Sequence, residues 1–306
     1  MDTLIVITGP TAVGKTKLCL EIAKTLGIPI INADSRQMYK GMTIGTAAPT
    51  ASELAAVKHY FVGNLQLDDY YNAAIYEQEV IRLLGQLFRQ CKGSPCDSHG
   101  GIALLSGGSM MYIDAVCYGI DDIPTITQAT RTLVKERLEK EGLEPLCAEL
   151  EKLDPEYYKF VDKKNIRRIV HGLEICLQTG RPYSSFRKQS KKTREFRTKK
   201  IALERPREEL YSRINTRVEN MMAAGLLQEA QALYPMRHLN ALNTVGYKEL
   251  FGYIDGKYSL DEAIERIKGS TRRYARKQLT WLKRDTTARW FSPDDIDAIM
   301  KYISQI

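Results

Sequence analysis

A phosphate-binding loop between a short apolar strand and a helix constrains this chain more than any other feature. The strand is the β-branched run Leu4-Ile5-Val6-Ile7-Thr8, and the loop is Gly9-Pro10-Thr11-Ala12-Val13-Gly14-Lys15-Thr16, which matches G-x-x-x-x-G-K-[ST]. A helical pattern follows from Lys17 to Leu26 and ends at Gly27. This order predicts a parallel α/β sheet that binds a phosphorylated substrate at its carboxyl edge.

Each fixed position of the loop has a chemical reason. The glycines let backbone N–H groups point at phosphate oxygens, and the helix N-terminus adds a partial positive charge. Lys15 adds a full charge, and the Thr16 hydroxyl can ligate Mg²⁺. We therefore predict that residues 9–16 bind the phosphates of a substrate together with Mg²⁺.

Apolar runs alternate with helical patterns along the amino-terminal part of the chain. Residues 28–31 and 102–105 predict two further strands, and residues 70–91 have helical spacing between them. This alternation favours right-handed crossovers and a parallel sheet. Asp34 and Ser109 follow the ends of two strands, so both are expected beside the phosphate loop.

The middle of the chain has a different character. Residues 124–193 are charged and helical, with turn residues between segments. We predict an inserted helical domain there, and a P-loop catalytic core formed by residues 1–123 and 194–306. After the insertion we expect a returning strand and three helices, at residues 201–203, 207–233, 260–282 and 294–306. The fold class is α/β, a P-loop NTPase-like parallel sheet with flanking helices and a helical insertion.

The positive charge of the chain is concentrated in two stretches. In total, 45 Lys and Arg against 37 Asp and Glu give a net charge of +8 at pH 7. Residues 181–217 hold thirteen Lys or Arg and four acids, and residues 265–289 hold nine and two. Both stretches also contain aromatic residues, a combination that suits nucleic acid, although solvated helix faces are the open alternative.

The cysteines and the hydropathy indicate the compartment. The six cysteines lack the spacing of a zinc site, so we expect reduced, mostly buried thiols. No leader-like segment precedes the first strand, and no apolar run is long enough to cross a membrane. We expect a cytoplasmic protein with no membrane association and no obligate protein partner.

Four polar side chains outside the loop are candidates for chemistry. Asp34 lies where a P-loop enzyme needs a general base, with a helix cap or an outer Mg²⁺ ligand as alternatives. Ser109 suits a hydrogen bond to phosphate or to a polar substrate, or serves only as a turn residue. Arg213 and Arg217 share one helix face, from which either can reach a pyrophosphate; solvated surface arginines would have the same spacing.

Two absent motifs narrow the class of enzyme. No predicted strand ends in the acidic Walker B pattern of motor ATPases, and the Asn-Lys-x-Asp motif of GTPases does not occur. A small-substrate P-loop transferase fits best, and a nucleoside or small-metabolite kinase is the alternative. An RNA-binding protein with a merely structural P-loop is a third hypothesis, against which the intact Lys15, Thr16 and Asp34 argue.

Two further motifs accompany the phosphate loop. They are D-S-R-Q-M-Y-K-G-M-T-I-G-T-A at residues 34–47 and G-G-S-M-M-Y at residues 107–112. Together these motifs resemble the tRNA dimethylallyltransferases, also called tRNA isopentenyltransferases. The similarity continues through residues 165–180, 244–250 and 276–282. The segment 34–47 is the most specific part, because an ordinary P-loop kinase has no reason to share it.

The resemblance implies a reaction and its substrates. A dimethylallyl group would pass from dimethylallyl diphosphate to N6 of the adenosine 3′-adjacent to the anticodon of a tRNA, with Mg²⁺ as cofactor. Independently of the resemblance, the missing Walker B carboxylate predicts that the loop uses the prenyl diphosphate and does not turn over ATP, which would bind weakly. The implied catalytic residues are Asp34 as general base, Lys15, Ser109 and Arg217. The implied diphosphate site comprises Gly9, Pro10, Thr11, Ala12, Val13, Gly14, Lys15 and Thr16, with Thr16 also ligating the metal.

The resemblance also implies tRNA contacts, and it makes the helical insertion the part that grips the anticodon stem-loop. The implied contact positions are Asp34, Ser35, Arg36, Gln37, Ser109, Arg131, Lys164, Asn165, Ile166, Arg167, Arg168, Asn243, Thr244, Val245, Gly246, Tyr247 and Lys248. At Ser109 the family commonly has Thr, so the hydroxyl is kept.

Overall fold

The computed structural model describes residues 1–91, 100–188 and 191–305, without the side chain of Cys91. Among these residues, six strands form one parallel sheet in the order β3-β2-β4-β1-β5-β6. The strands are β1 (Thr3–Thr8), β2 (Ile30–Asn32), β3 (His59–Tyr60), β4 (Ile102–Gly107), β5 (Arg197–Leu203) and β6 (Arg289–Phe291). The predicted α/β parallel sheet with flanking helices is confirmed.

The helices of the described residues fall before, within and after the middle of the chain. They are α1 (Lys15–Leu26), α2 (Ala51–Ala56), α3 (Ala73–Cys91), α4 (Met110–Tyr118), α5 (Gln128–Glu141), α6 (Leu143–Leu153), α7 (Pro155–Phe160), α8 (Ile166–Thr179), α9 (Arg207–Ala223), α10 (Leu226–Leu233), α11 (Tyr247–Ile254), α12 (Leu260–Leu282) and α13 (Ile296–Ser304).

The chain divides into two compact units. One unit comprises Met1–Tyr118 and Thr193–Ile306, and the other comprises Gly119–Lys192. We call them the sheet unit and the helical unit. The helical unit has its own apolar core, to which α5, α6 and α8 contribute Val134, Leu146, Leu150, Ile169 and Leu173. Because the helical unit buries its own apolar core, Gly119–Lys192 meets the usual description of a domain.

Alternation along the central strand β1 places apolar side chains on both faces of the sheet. Ile5 and Ile7 pack into a cluster with residues of α1 and α9. Leu4 and Val6 pack into a second cluster with residues of α3 and α4. A strand that is covered on both faces needs a continuous apolar run, which is what made β1 recognisable in the sequence.

One predicted helix is wrong in its extent. Residues 207–233 form two helices, α9 and α10, because Gly225 between them has φ 99°. That left-handed conformation ends a helix and favours glycine. The break redirects the chain so that α10 can pack on α9 and α11 in a third apolar cluster, which includes Val218, Leu226 and Leu250.

Parallel strands bring three segments to one edge of the sheet. β1, β2 and β4 end there, so the phosphate loop, Asp34 and the turn at Gly108 follow neighbouring strands. The packing at this edge is tight, since a Cβ added to Gly107 would lie 2.2 Å from the carbonyl carbon of Ala33. The backbone therefore fixes where Asp34 begins relative to β4.

Candidate active site

The phosphate loop, residues 9–16, connects β1 to α1. Gly14 precedes the helix with φ 116° and ψ 13°, a left-handed conformation that would strain a residue with a Cβ. The first turn of α1 then begins at Lys15 and Thr16. Its backbone N–H groups have no partner within the helix, so they are available to an anion at the loop.

Two arginines from outside the loop hold its backbone. Nε of Arg213 donates to the carbonyl oxygen of Ala12 over 2.9 Å, and Nε of Arg205 donates to that of Val13 over 2.8 Å. Arg205 is further fixed by a two-pronged pair with the carboxylate of Asp294, with both N–O distances 2.7 Å. Arg213 thus contacts the loop from an exposed position, and Arg205 is a support that sequence spacing did not reveal.

Lys15 is a partly buried cation. Its Nζ donates to the carbonyl oxygens of Gly9, over 2.9 Å, and Pro10, over 2.8 Å. Its pKa is lowered to about 8, first by loss of solvation and then by the charge of Arg217, while the carboxylate of Asp34 raises it in part. An anion bound at the loop would offset these effects, so the site favours a ligand that brings negative charge.

Arg217 adds a second, partly buried cation. Its pKa is lowered by burial, is raised by Asp34 and is lowered by Arg213. Together Lys15, Arg213 and Arg217 outnumber the carboxylates of Asp34 and Glu53 in the lining of one cavity. Coulomb attraction is strong in such a poorly solvated place, and the balance of charge suits a diphosphate.

Asp34 is two residues beyond β2, and its two carboxylate oxygens have different surroundings. Oδ1 accepts the backbone N–H of Arg36 over 3.0 Å, and the N–H of Asp34 itself donates to Oδ1 of Asn32 over 3.2 Å. These bonds form turns that orient the side chain. Oδ2 faces Gly108, where an added Cβ would lie 3.7 Å from it. The carboxylate can therefore act in the turn through one oxygen and on a substrate through the other.

Ser109 contacts the segment that carries Asp34. Its Oγ accepts the backbone N–H of Ser35 over 2.8 Å and donates to Oγ of Ser35 over 3.0 Å, while its own N–H donates to the carbonyl of Ala33 over 3.1 Å. The hydroxyl is thereby engaged in holding Ser35. Ser109 thus supports the segment of Asp34, and a direct catalytic contact by its hydroxyl stays a prediction.

Two cavities meet at Asp34. One measures about 590 Å³ and is lined by the phosphate-loop residues Lys15 and Thr16. The other measures about 310 Å³ and has a largely apolar wall. Five residues line both cavities: Thr11, Asp34, Thr46, Arg217 and Tyr274. The apolar wall consists of Ile214, Val218, Met221, Leu226, Val245 and Ile267. A phosphate site and an apolar chamber therefore share a border at which the carboxylate of Asp34 and the partly buried guanidinium of Arg217 lie.

The Walker B position of the sheet lacks a carboxylate. Ser106 on β4 lies opposite Ile7 of β1, one residue before the strands end. Its Oγ accepts a hydrogen bond from the Cys19 thiol over 3.1 Å, and burial raises the pKa of that thiol to about 11. The serine there supports the sequence-based argument against a motor ATPase.

Glu229 on α10 holds the backbone of the segment 43–45, and sequence reasoning missed it. Its carboxylate accepts the backbone N–H groups of Thr43, Ile44 and Gly45, over 2.8 to 3.0 Å, and the hydroxyl of Tyr247 over 2.6 Å. Tyr247 is fully buried. The Tyr247 side chain therefore serves the interior, and a tRNA contact at this position stays a prediction.

The other expected tRNA positions divide between the two units. In the sheet unit, five of these positions line the smaller cavity: Ser35, Arg36, Thr244, Val245 and Gly246. Gln37 lines the larger cavity. Asn243 and Lys248 lie on either side of the segment 244–247. In the helical unit, Arg131 lies on α5, Asn165 caps α8 by accepting the N–H of Arg168, and Ile166 begins that helix. Lys164, Arg167 and Arg168 are exposed there, so their charges can reach a solvent-side polyanion.

Part of the basic stretch 181–217 is internal. Lys200 is buried in an ion pair with Asp285, with an N–O distance of 2.6 Å. Arg194 pairs with Glu77 over 2.8 Å and also donates to the carbonyls of Ala115 and Val116. Lys200 and Arg194 therefore stabilise the fold and are not available to phosphates. The number of Lys and Arg residues in this stretch is larger than the number of positive charges that it offers to a ligand.

The cysteines are consistent with free thiols where they are described. Cys19, Cys117 and Cys176 are buried and Cys147 is partly buried, all unpaired by disulfides. Cys96 and the side chain of Cys91 lie outside the described residues. In the described part of the chain, no helix is long and apolar enough to cross a membrane, and no group of three or more His, Cys, Asp or Glu forms a metal site.

Comparison with known proteins gives consistent matches. The family model described as IPP transferase matches residues 37–285. The chain is 56% identical to tRNA dimethylallyltransferase 1 of Phocaeicola vulgatus, over 100% of this chain and 99% of that protein. It is also 56% identical to tRNA dimethylallyltransferase 1 of Bacteroides fragilis, over 98% of this chain and 97% of that protein.

Two solved structures resemble the fold over most of its length. The full-length tRNA isopentenylpyrophosphate transferase of Bacillus halodurans has 32% identity and a TM-score of 0.70, covering 100% of this chain and 96% of its own. A eukaryotic dimethylallyltransferase described as acting on tRNA has 26% identity and a TM-score of 0.73, covering 92% of this chain and 70% of its own.

Proposed function

The chain belongs to the IPP transferase family of tRNA dimethylallyltransferases, and we propose that it transfers a dimethylallyl group from dimethylallyl diphosphate to N6 of the adenosine 3′-adjacent to the anticodon of a tRNA. The observation that carries this proposal is the border between the two cavities. There Asp34 and Arg217 stand between a cationic phosphate loop and an apolar chamber. The kinase alternative has no support among the relatives.

The chemistry requires a good leaving group and a proton acceptor. The adenine N6 amine is a weak nucleophile, because its lone pair is delocalised into the ring. The bond between C1 of the prenyl group and the diphosphate oxygen breaks, and a bond from N6 to C1 forms. Pyrophosphate leaves with the bonding electron pair, and the N6 proton passes to Asp34. Lys15, Arg217 and the loop N–H groups stabilise the negative charge that develops on the leaving oxygen.

The residues at the loop are suited to Mg²⁺ held jointly with substrate. Thr16 supplies a hydroxyl that lines the larger cavity, and Asp34 and Glu53 supply carboxylates to the same lining. Mg²⁺ commonly takes one or two protein ligands and completes its shell with phosphate oxygens and water. When bound, the ion would neutralise charge on the diphosphate. Thr16 is the residue we assign to hold it.

The smaller cavity suits the adenine. Its rim carries Ser35, Arg36 and Thr244, which the family resemblance associates with tRNA, and its wall is apolar, as a flat heterocycle requires. The N6 amine can enter the active site only after the adenine leaves the base stack, and a base in a single-stranded loop unstacks at low cost in free energy. We assign the exposed charges of Lys164, Arg167 and Arg168 in the helical unit to the anticodon stem-loop.

Replacing Arg167 and Arg168 together with Gln is expected to weaken tRNA binding and flatten its salt dependence. Each lost phosphate contact should reduce the slope of log affinity against log salt by about 0.7–0.9. KM for dimethylallyl diphosphate should not change. The matched control is the double variant Lys24→Gln with Lys58→Gln. It removes the same number of positive charges from two exposed positions of the sheet unit, one on α1 and one immediately before β3. Binding titrations across salt test this, and equal slopes for both double variants would show that the arginines do not meet phosphate.

ATP turnover separates the proposed transferase from a kinase. Because Ser106 stands at the Walker B position, we expect no steady phosphate release from ATP, with or without tRNA. Excess ATP should at most compete weakly with dimethylallyl diphosphate. The measurement is phosphate release from ATP beside label transfer from the prenyl donor in the same preparation. Sustained ATP turnover without prenyl transfer would restore the kinase hypothesis.

A further inference from the structure

Gln278 on α12 joins two backbone segments of the site with one amide group. Its Oε1 accepts the backbone N–H of Thr11 in the phosphate loop over 2.8 Å. Its Nε2 donates to the carbonyl oxygen of Gly108, after β4, over 2.8 Å. The side chain is almost completely buried, with 1% of its surface exposed, and it lines the larger cavity. Both ends of a buried amide are thus used at the reaction site.

The segment at Gly108 continues directly to the proposed base. The Gly108 carbonyl also accepts a hydrogen bond from the hydroxyl of Tyr274 over 3.1 Å. The next residue, Ser109, holds the backbone and side chain of Ser35, next to Asp34. The phosphate loop is therefore linked to the segment of Asp34 in three steps. Gln278 bonds to Thr11 and Gly108, the chain continues from Gly108 to Ser109, and Ser109 bonds to Ser35.

We propose that Gln278 is a positioning residue that sets the separation between the diphosphate site and the catalytic base. This inference rests on the proposed function, because it assigns the two joined segments to the leaving group and to the proton acceptor. Transfer needs the donor carbon and the amine in a near-attack arrangement, and displacement of one segment by about 1 Å can cost about 10²-fold in rate. A link that ties the segments together guards against such a displacement.

The local geometry admits Gln and few other residues. An added Cβ at Gly108 would lie 2.6 Å from Nε2 of Gln278, so the glycine makes room for the amide. Glu has the same size but, when ionised, cannot donate to the Gly108 carbonyl. Two acceptors would then face each other in a buried place, at the cost of an unmade hydrogen bond. Met has a similar length and lacks both strong polar contacts.

The test compares Gln278→Glu and Gln278→Met with the wild-type enzyme across pH. We expect both variants to lower kcat by about 10- to 100-fold at pH 8, while KM for tRNA stays unchanged. The kcat ratio of Gln278→Glu to wild type should rise as pH falls, because a protonated Glu regains the donor. The ratio for Gln278→Met should be independent of pH.

A matched control exists in the helical unit. Gln178 makes the same two kinds of hydrogen bond with other partners. Its Oε1 accepts the backbone N–H of Thr127 over 2.7 Å, and its Nε2 donates to the carbonyl oxygen of Thr125 over 2.6 Å. Gln178→Glu should alter thermal stability at most, with kcat and its pH profile as in wild type. If the Gln278→Glu ratio is flat with pH, or if Gln178→Glu reproduces it, Gln278 is merely structural.

Binding of inorganic pyrophosphate with Mg²⁺ gives a readout that does not depend on transfer. By calorimetry at pH 8, Gln278→Met should bind it about tenfold more weakly than wild type, because Met cannot accept the N–H of Thr11 and the loop is no longer held in place. Unchanged pyrophosphate affinity would contradict the positioning role even in an active enzyme. Absence of transfer by the wild-type protein would instead contradict the proposed function, so the two failures are distinguishable.

Discussion

Asp34→Asn is expected to lower kcat by about 10²- to 10⁴-fold, the range for losing a positioned general base, with little change in tRNA affinity. Asn keeps an oxygen that can accept the N–H of Arg36, so the turn around residue 34 should persist. What it loses is the ability to accept the N6 proton. Single-turnover transfer to tRNA at saturating substrates measures the effect directly.

Asp34→Ala provides the structural comparison. It removes both the proton acceptor and the turn contact, so its kcat should be at least as low as that of Asp34→Asn. Asp261→Asn, an exposed position in the first turn of α12, controls for the loss of one negative charge. Near-normal kcat in both Asp34 variants would show that the residue acts only as a cap, and the mechanism would be wrong.

Lys15→Ala is expected to reduce kcat/KM for dimethylallyl diphosphate by about 10²- to 10³-fold, the magnitude of losing one positioned stabiliser of developing charge. The effect should be larger than for a surface lysine because the ammonium is held at the loop by hydrogen bonds to the carbonyls of Gly9 and Pro10. Lys24→Ala on the far turn of α1 is the matched control, since that side chain is exposed. Salt dependence of tRNA binding should stay the same in both.

The pH dependence supplies a second check on Lys15. The pKa of the Lys15 ammonium is lowered to about 8, so this group loses its positive charge as pH rises through that value. Affinity for Mg²⁺-pyrophosphate should therefore be highest below pH 8 and fall above it, with proton uptake on binding near pH 8. Lys15→Ala should remove both effects. A wild-type affinity that is constant from pH 7 to 9.5 would contradict this assignment.

The parts of the fold that depend on local sequence could be predicted. β1 and α1 were recognisable because a continuous apolar run, a glycine-rich loop and helical spacing lie within consecutive residues. The position of Asp34 followed from the rule that parallel strands end at one edge. The division of 207–233 into two helices was missed, because a single glycine in a helical pattern does not reveal a left-handed conformation.

The supports of the site come from residues distant in sequence. Gln278 meets Thr11 across 267 positions, and Glu229 meets Gly45 across 184. Neither contact leaves a local pattern, so they emerge only when α10 and α12 are in place. Charge counting failed for the same reason: Lys200 and Arg194 look like nucleic-acid ligands in sequence, yet each is paired with an acid inside the fold.

The central claim is the transfer itself, and product analysis tests it most directly. Isotope-labelled dimethylallyl diphosphate, Mg²⁺ and tRNA that lacks the modification are incubated with the protein, and the tRNA is digested to nucleosides. The account predicts label in an adenosine bearing a dimethylallyl group on N6, located immediately 3′ of the anticodon, and none when that adenosine is replaced by guanosine. Label in a different nucleoside, or no labelled nucleoside under conditions in which the protein binds both substrates, would contradict it.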